Sequence, residues 1–278
     1  RQSRSKVVGV NDSGPQRVAA IIWAHDDAHD IASTVRSCRA IPAVDLLIVV
    51  DDGSTDETGA HARMAGAVVV RHSVPRGRAS AMETGVKVAA MRDRADWPPR
   101  LLLFLSSDLG ESAVEAAVLV EAVMTGMADC ACASEKSSRR LPAARIARRA
   151  IRRATGWAPE SPMSENRCIT REALTAIMPF ANGYGLEPAM TIDLLMQGFT
   201  MVELPCAFVH LGGDRTLGEL NKPQQLIDTL VALTERGPRV LTRSPLRRSE
   251  SRAFKLGDPY PHRADETPAE KSDADEEN

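Results

Sequence analysis

The sequence predicts an α/β fold: one mostly parallel sheet flanked by helices in a single domain. Three observations predict it. Short continuous apolar runs recur along residues 18–105. Stretches of helical length and pattern separate them. The polar motifs stand directly after the runs, where ligands bind in an open parallel sheet.

The elements follow in order. Val18–Trp23 is the first apolar run, and a helical stretch spans residues 28–40. Leu46–Val50 is the second run, followed by a second helical stretch and by Ala67–Val70. A third helix, over residues 79–91, leads to Leu101–Leu105. Runs this short, apolar throughout rather than alternating, fit strands buried on both faces. Right-handed crossovers then place helices on both sides of the sheet.

The chain has 278 residues, which suits one large domain. Residues 1–16 read as a loose arm, 17–240 as the folded domain and 241–278 as a tail without regular structure. The tail is rich in Arg, Ser, Pro, Asp and Glu and lacks apolar periodicity. Within the domain, 17–135 and 136–240 read as two successive parts. Aromatics make up only 4% of the chain, so the core must be built from Val, Leu, Ile, Ala and Met. A net charge of −2 gives no global field toward nucleic acid. The five cysteines, Cys38, Cys130, Cys132, Cys168 and Cys206, include no CxxC pair and read as reduced thiols. No apolar run is long enough to span a bilayer.

Four motifs carry chemistry. AHDDAHD (24–30) places Asp26 and Asp27 at the start of the first helix, where one carboxylate serves as an N-cap and a pair also suits a ribose or base. DDGSTD (51–56) needs only one of Ser54, Thr55 or Asp56 as a cap. Asp51 and Asp52 repel one another and therefore point to a ligand with N–H or O–H donors. RGRAS (76–80) puts arginines at a helix N-terminus against the macrodipole, which points to an anion. FLSSDLGES (104–112) sets Asp108 at a strand end, where a carboxylate and a diphosphate together hold Mg²⁺ or Mn²⁺.

VVDDGSTDET, RGRASAMETG, FLSSDL, MSENRCITREAL and PFANGYGLEPAMTIDLLMQGFTMVELP, in this order, resemble the family 2 glycosyltransferases with the GT-A fold. The chain resembles the actinobacterial, phosphoglycerate-type members in particular. The resemblance covers about residues 18–235. It implies a nucleotide diphosphate sugar donor, with UDP-glucose the first choice, and a phosphorylated small-molecule or polyprenyl-phosphate acceptor. It implies that Ala24 and Asp27 border the nucleotide and that Asp52 meets its base or ribose. Arg78 takes the place of a lysine near the diphosphate. Asp108 is the last acid of the DxD motif and His210 completes the metal site. Tyr184 and Glu187 lie on the acceptor side, Arg167 is kept from the acceptor motif, and Arg215 serves the acceptor. Glu187 is the candidate base. The chain departs from the family at Ser106 and Ser107, which make the motif SSD, at GRA for the usual GKG, at SENR, and after His210.

Residues 139–153 hold a dense arginine cluster on a thin apolar helical face, a candidate contact for an anionic membrane surface or for the acidic tail. Nucleic-acid binding is not expected, because interleaved aromatics are missing. The expected setting is the cytoplasm or the inner membrane face, and a homodimer is left open. The competing reading is a weakened or inactive nucleotide-sugar binder or interaction scaffold. An NAD-binding Rossmann protein is excluded by the lack of GxGxxG after the first strand.

Overall fold

The computed structural model describes residues 14–135, 142–212, 223–235, 257, 259 and 260. Seven strands form one sheet: β1 (Val18–Ala24), β2 (Val44–Asp51), β3 (Val68–Arg71), β4 (Leu101–Leu105), β5 (Cys130–Ser134), β6 (Arg167–Ile169) and β7 (Met201–Pro205). Their order is β3-β2-β1-β4-β6-β5-β7. All four apolar runs are strands, and β2 extends the expected run to include Asp51. Six strands point the same way, and β6 is antiparallel to both neighbours.

The helices are α1 (Ile31–Cys38), α2 (Thr58–Met64), α3 (Arg78–Met91), α4 (Ala117–Met124), α5 (Pro142–Thr155), α6 (Arg171–Ile177), α7 (Leu186–Met196) and α8 (Pro223–Glu235). The pleat sends alternate residues to opposite faces, so the sheet builds two cores. Ile21, Ile48, Val50, Leu102 and Phe104 pack on one face with residues of α3, α5 and α7. Ala20, Ile22, Leu47, Val49, Leu103 and Leu105 pack on the other with residues of α1 and α4. The scarcity of aromatics brings α3 close to the sheet: a Cβ at Gly85 would lie 2.4 Å from Ile21 Cγ2.

Chain direction reverses outward from β1: β2 and β3 lie on one side and β4 on the other. Ala24 pairs with Asp51, and Ile22 with Leu105. The loops after β1, β2 and β4 therefore emerge side by side at a topological switch point. Because β6 is antiparallel and Arg167 pairs with Phe104, the segment before β6 reaches the same edge. The segments after β5 and β7 reach it too, which brings Glu135 and His210 into the site.

The C-terminal stretch departs from expectation at Tyr260. Its N–H and C=O pair with Met201 on the edge of β7, each at 2.6 Å. Its ring stacks on Trp157, and its hydroxyl donates to the Thr155 carbonyl at 2.7 Å. A tail beginning at 241 therefore does not hold as a uniform unit. Trp157, on which that ring stacks, is a buried core residue.

Gly85→Ala is expected to destabilise the domain by about 1–3 kcal/mol through overpacking against Ile21. Urea titration should show a lower midpoint with an unchanged slope.

Candidate active site

The acidic side chains at the strand ends mainly serve the backbone. Asp26, at φ +55°, accepts from the Thr55 N–H at 2.7 Å. Asp51 accepts from the Ser54 N–H at 2.9 Å. Asp56 accepts from the N–H groups of Ala28 and Thr58, at 3.1 and 3.0 Å. Asp27 accepts from the His25 N–H at 2.9 Å and from the Ser107 hydroxyl at 2.8 Å, which joins the loops after β1 and β4. None of these acids caps α1, whose N-cap residue is Asp30 without a side-chain bond.

The Asp51–Asp52 pair is not a joint ligand site. Successive strand residues point to opposite sides. Asp51 is fully buried beneath α2, where a Cβ at Gly59 would meet its Oδ2 at 2.7 Å. Its carboxylate, expected at the nucleotide, is enclosed by the protein. Asp52 points the other way, to the segment before α3. It accepts from the N–H groups of Arg76 and Gly77 at 2.8 and 2.7 Å and meets His72 Nδ1 at 2.6 Å. Burial opposes its charge, but the Arg76 N–H, His72 and the Gly77 N–H outweigh it and hold the carboxyl below its usual range. His72 also meets Thr84 Oγ1 at 3.0 Å and so ties α3 to this loop.

Held in this way, Gly77 adopts φ +83° and α3 starts without a side-chain cap. A Cβ at Gly77 would meet nothing within 4 Å, so space beside the open helix start is clear. Arg76 is exposed there. Arg78 is not. Its guanidinium turns inward to Glu165 Oε2 and Glu187 Oε1, each at 2.5 Å. Burial works against the Arg78 cation, but Glu187 and Glu165 outweigh it and raise its pKa further. The expected free arginine at the diphosphate is thus already paired. Glu187 is 2% exposed, and its pKa is raised by burial despite Arg78 and Arg167. A base in open contact with solvent does not fit this position. Arg167, on β6, is equally buried and donates to the Ser164 carbonyl at 2.5 Å. Its charge acts on Glu187. A pocket lined by Trp23, Met82, Phe104, Ser106, Arg78 and Glu165 lies above them. Tyr184, half-buried, adds to the field around Arg78.

Asp108 differs from the other strand-end acids. Its Oδ1 accepts from the Ser106 hydroxyl at 2.6 Å and meets His210 Nδ1 at 2.9 Å. The other ring nitrogen of His210 lies 3.3 Å from Glu135 Oε2. Burial disfavours the imidazolium, but Asp108 and Glu135 outweigh it and raise its pKa to about 10. Asp108 itself is held low: burial opposes its charge and His210 and Ser106 favour it. Asn166 links the group, accepting from the Ser106 N–H and donating to Glu135 Oε1, both at 2.9 Å. The Leu211 N–H, donating to the Asp108 carbonyl at 2.9 Å, fixes the segment that carries His210. Sequence reasoning found Asp108, His210 and Ser106 but missed Glu135, Glu165 and Asn166. Arg215 lies outside the described residues.

The donor set fits a hard divalent cation. Cis ligands about an octahedral ion at roughly 2.1 Å lie about 3 Å apart, close to the 2.9 Å between Asp108 Oδ1 and His210 Nδ1. Among the described residues no group of three metal-ligand side chains forms a cage. Asp108 and His210 would supply two of the ligands of such an ion. To ligate through one ring nitrogen, His210 would have to give up the proton that this nitrogen directs at its carboxylate partner.

Comparison with known proteins agrees with this architecture. Residues 19–155 match the glycosyl transferase family 2 model. Crystal structures of glucosyl-3-phosphoglycerate synthase from Mycobacterium tuberculosis are similar over most of the chain. The complex with Mg²⁺ and UDP is 26% identical, with a TM-score of 0.62, and covers 80% of this chain and 79% of that one. The complex with Mn²⁺, UDP-glucose and phosphoglyceric acid is 26% identical, with a TM-score of 0.61 and the same coverage. The uncharacterized protein MJ1222 of Methanocaldococcus jannaschii is 26% identical over 99 residues, so the match spans 36% of this chain and 38% of that relative's length. Residues 19–155 thus carry a family 2 glycosyltransferase domain, and the chain has the GT-A fold.

Asp52→Asn is expected to cost about 1–3 kcal/mol, because buried backbone donors lose their charged acceptor. The folded pKa of Asp52 lies below the unfolded value of about 3.9. Its contribution is therefore complete above that value and is lost as pH falls through the folded pKa. Stability measured from pH 7 to 2.5 should fall less steeply below about pH 4 in the variant than in the wild type.

Proposed function

We propose that the domain transfers a hexose, glucose first, from a UDP-sugar to a small phosphorylated acceptor with the help of Mg²⁺ or Mn²⁺. The observation that carries this reading is Asp108. Among the six acids described above, Asp108 is the one held by two side chains, Ser106 and His210, with no bond from another residue's backbone N–H. The similar mycobacterial enzyme, crystallised with Mn²⁺, UDP-glucose and phosphoglyceric acid, supports the choice of donor and acceptor class.

In this proposal Asp108 and His210 hold the cation, with Glu135 behind His210. The cation would offset charge on the departing diphosphate. Ala24, Asp27 and Ser107 border the nucleotide, and Asp52 acts by shaping the segment that presents Arg76 and the open start of α3. Ser106 keeps Asp108 aligned in place of the missing acid. Glu187, Arg167 and Tyr184 orient the acceptor by positioning Arg78, and Arg215 is proposed to assist. A small acceptor is preferred to a polyprenyl phosphate, because the apolar residues of α5 are buried in the core and leave no face to enter a bilayer. The reaction is assigned to the cytoplasm, where the donor is made.

One observation favours a second reading, a nucleotide-sugar binder without turnover: Arg78 already has two carboxylate partners. The two readings separate on release of UDP from UDP-glucose, followed with 3-phosphoglycerate or glycerol 3-phosphate as acceptor. The transferase reading predicts metal-dependent turnover and a loss of at least about 100-fold in kcat/KM in Asp108→Ala. Metal-dependent UDP binding without turnover, whatever acceptor is offered, would overturn it in favour of the binder.

A further inference from the structure

Helix α5 sorts its side chains into two faces. Ala143, Ala144, Ala147, Ala150 and Ile151 are buried against the core. Arg145, Arg148, Arg149, Arg152 and Arg153 are all exposed. Their spacing of three and four residues puts five like charges on one stripe, where neighbouring pairs repel. The macrodipole favours only the last turn, Arg152 and Arg153. Among the described residues no salt bridge engages any of the five, and only Arg148 acts on a neighbouring carboxylate, Glu203, through its field.

The stripe calls for a polyanion, and three features of the molecule select which one. The apolar side of α5 is committed to the core, so a bilayer could be met only by charge. The helix carries no aromatic residue on which a base could stack. Tyr260, clamped on Met201, Trp157 and the carbonyl of Thr155, brings the chain to the C-terminal end of this helix. Residues 261–278 follow, with seven Asp and Glu against Arg263 and Lys271. A helix of 14 residues is about 21 Å long, a distance that about seven extended residues span.

We propose that residues 261–278 dock along the arginine stripe of α5, with Tyr260 as the anchor. The segment shields the stripe from other polyanions. Tethering gives it an effective concentration in the millimolar range, so individually weak pairs suffice. The contact is electrostatic and weakens with salt.

The test uses the full chain with all seven tail acids changed to their amides, and a labelled synthetic peptide of residues 261–278 as probe. By fluorescence anisotropy at low salt, the peptide should bind the neutral-tail chain and bind the wild type about tenfold more weakly. Raising salt to 300 mM should remove the binding. Arg148→Gln, Arg149→Gln and Arg152→Gln together, in the neutral-tail chain, should remove it too. The amide version of the peptide, which involves no change to the protein, should not bind at all. Equal peptide binding to the two chains, or none to the neutral-tail chain, would overturn the proposal. So would phosphatidylglycerol-containing vesicles that bind the wild type as tightly as the neutral-tail chain, because the stripe would then be open to a membrane.

Discussion

Where parallel strands end, the chain leaves the sheet with backbone N–H groups that the ladder no longer satisfies. In this protein carboxylates take up that need. Asp26, Asp51, Asp52 and Asp56 each accept from backbone N–H groups of a turn or a neighbouring loop. Charge-assisted bonds of this kind are short and strong. They fix the loops after β1 and β2 against one another and hold the start of α3. The rim of the site is rigid because its acids are already occupied.

That occupation also separates scaffold from chemistry. Asp108 sits in the same kind of position but bonds to Ser106 and His210, both of which can rearrange. Without a cation, His210 supplies the positive charge between Asp108 and Glu135. Beneath the pocket, Arg78 does the same between Glu165 and Glu187. Both clusters balance buried charge internally, as buried ions require. The two differ in what can replace the cation: a divalent ion suits the first, while the second is a fixed guanidinium.

Much of this was legible in the sequence. The apolar runs marked β1 to β4 because strands buried on both faces are apolar throughout. The expected sites Asp108, Ser106 and His210 converge because the sheet brings their segments to one edge. Other features had no local signal. β6 is three residues long and has no periodicity to detect. Its antiparallel direction alone brings Glu165 and Asn166 to the site, and Glu135 arrives from β5. Asp51 and Asp52 look alike in sequence, yet the strand pleat buries one under α2 and turns the other toward α3. Arg78 looked like an anion ligand because its two carboxylate partners lie 87 and 109 positions further along the chain. Tyr260 stands in a stretch without periodicity, and its pairing with Met201 depends on an exposed strand edge that only the sheet order shows.

The central claim is that Asp108 and His210 form a partial cation site completed by the diphosphate of the donor. Calorimetric titration of Mn²⁺ in the absence and presence of saturating UDP tests it most directly. The account predicts weak Mn²⁺ binding alone, binding at least tenfold tighter with UDP, an equal gain for UDP with Mn²⁺, and loss of this coupling in Asp108→Ala. Mn²⁺ and UDP that bind independently of one another, or coupling that survives in Asp108→Ala, would contradict it.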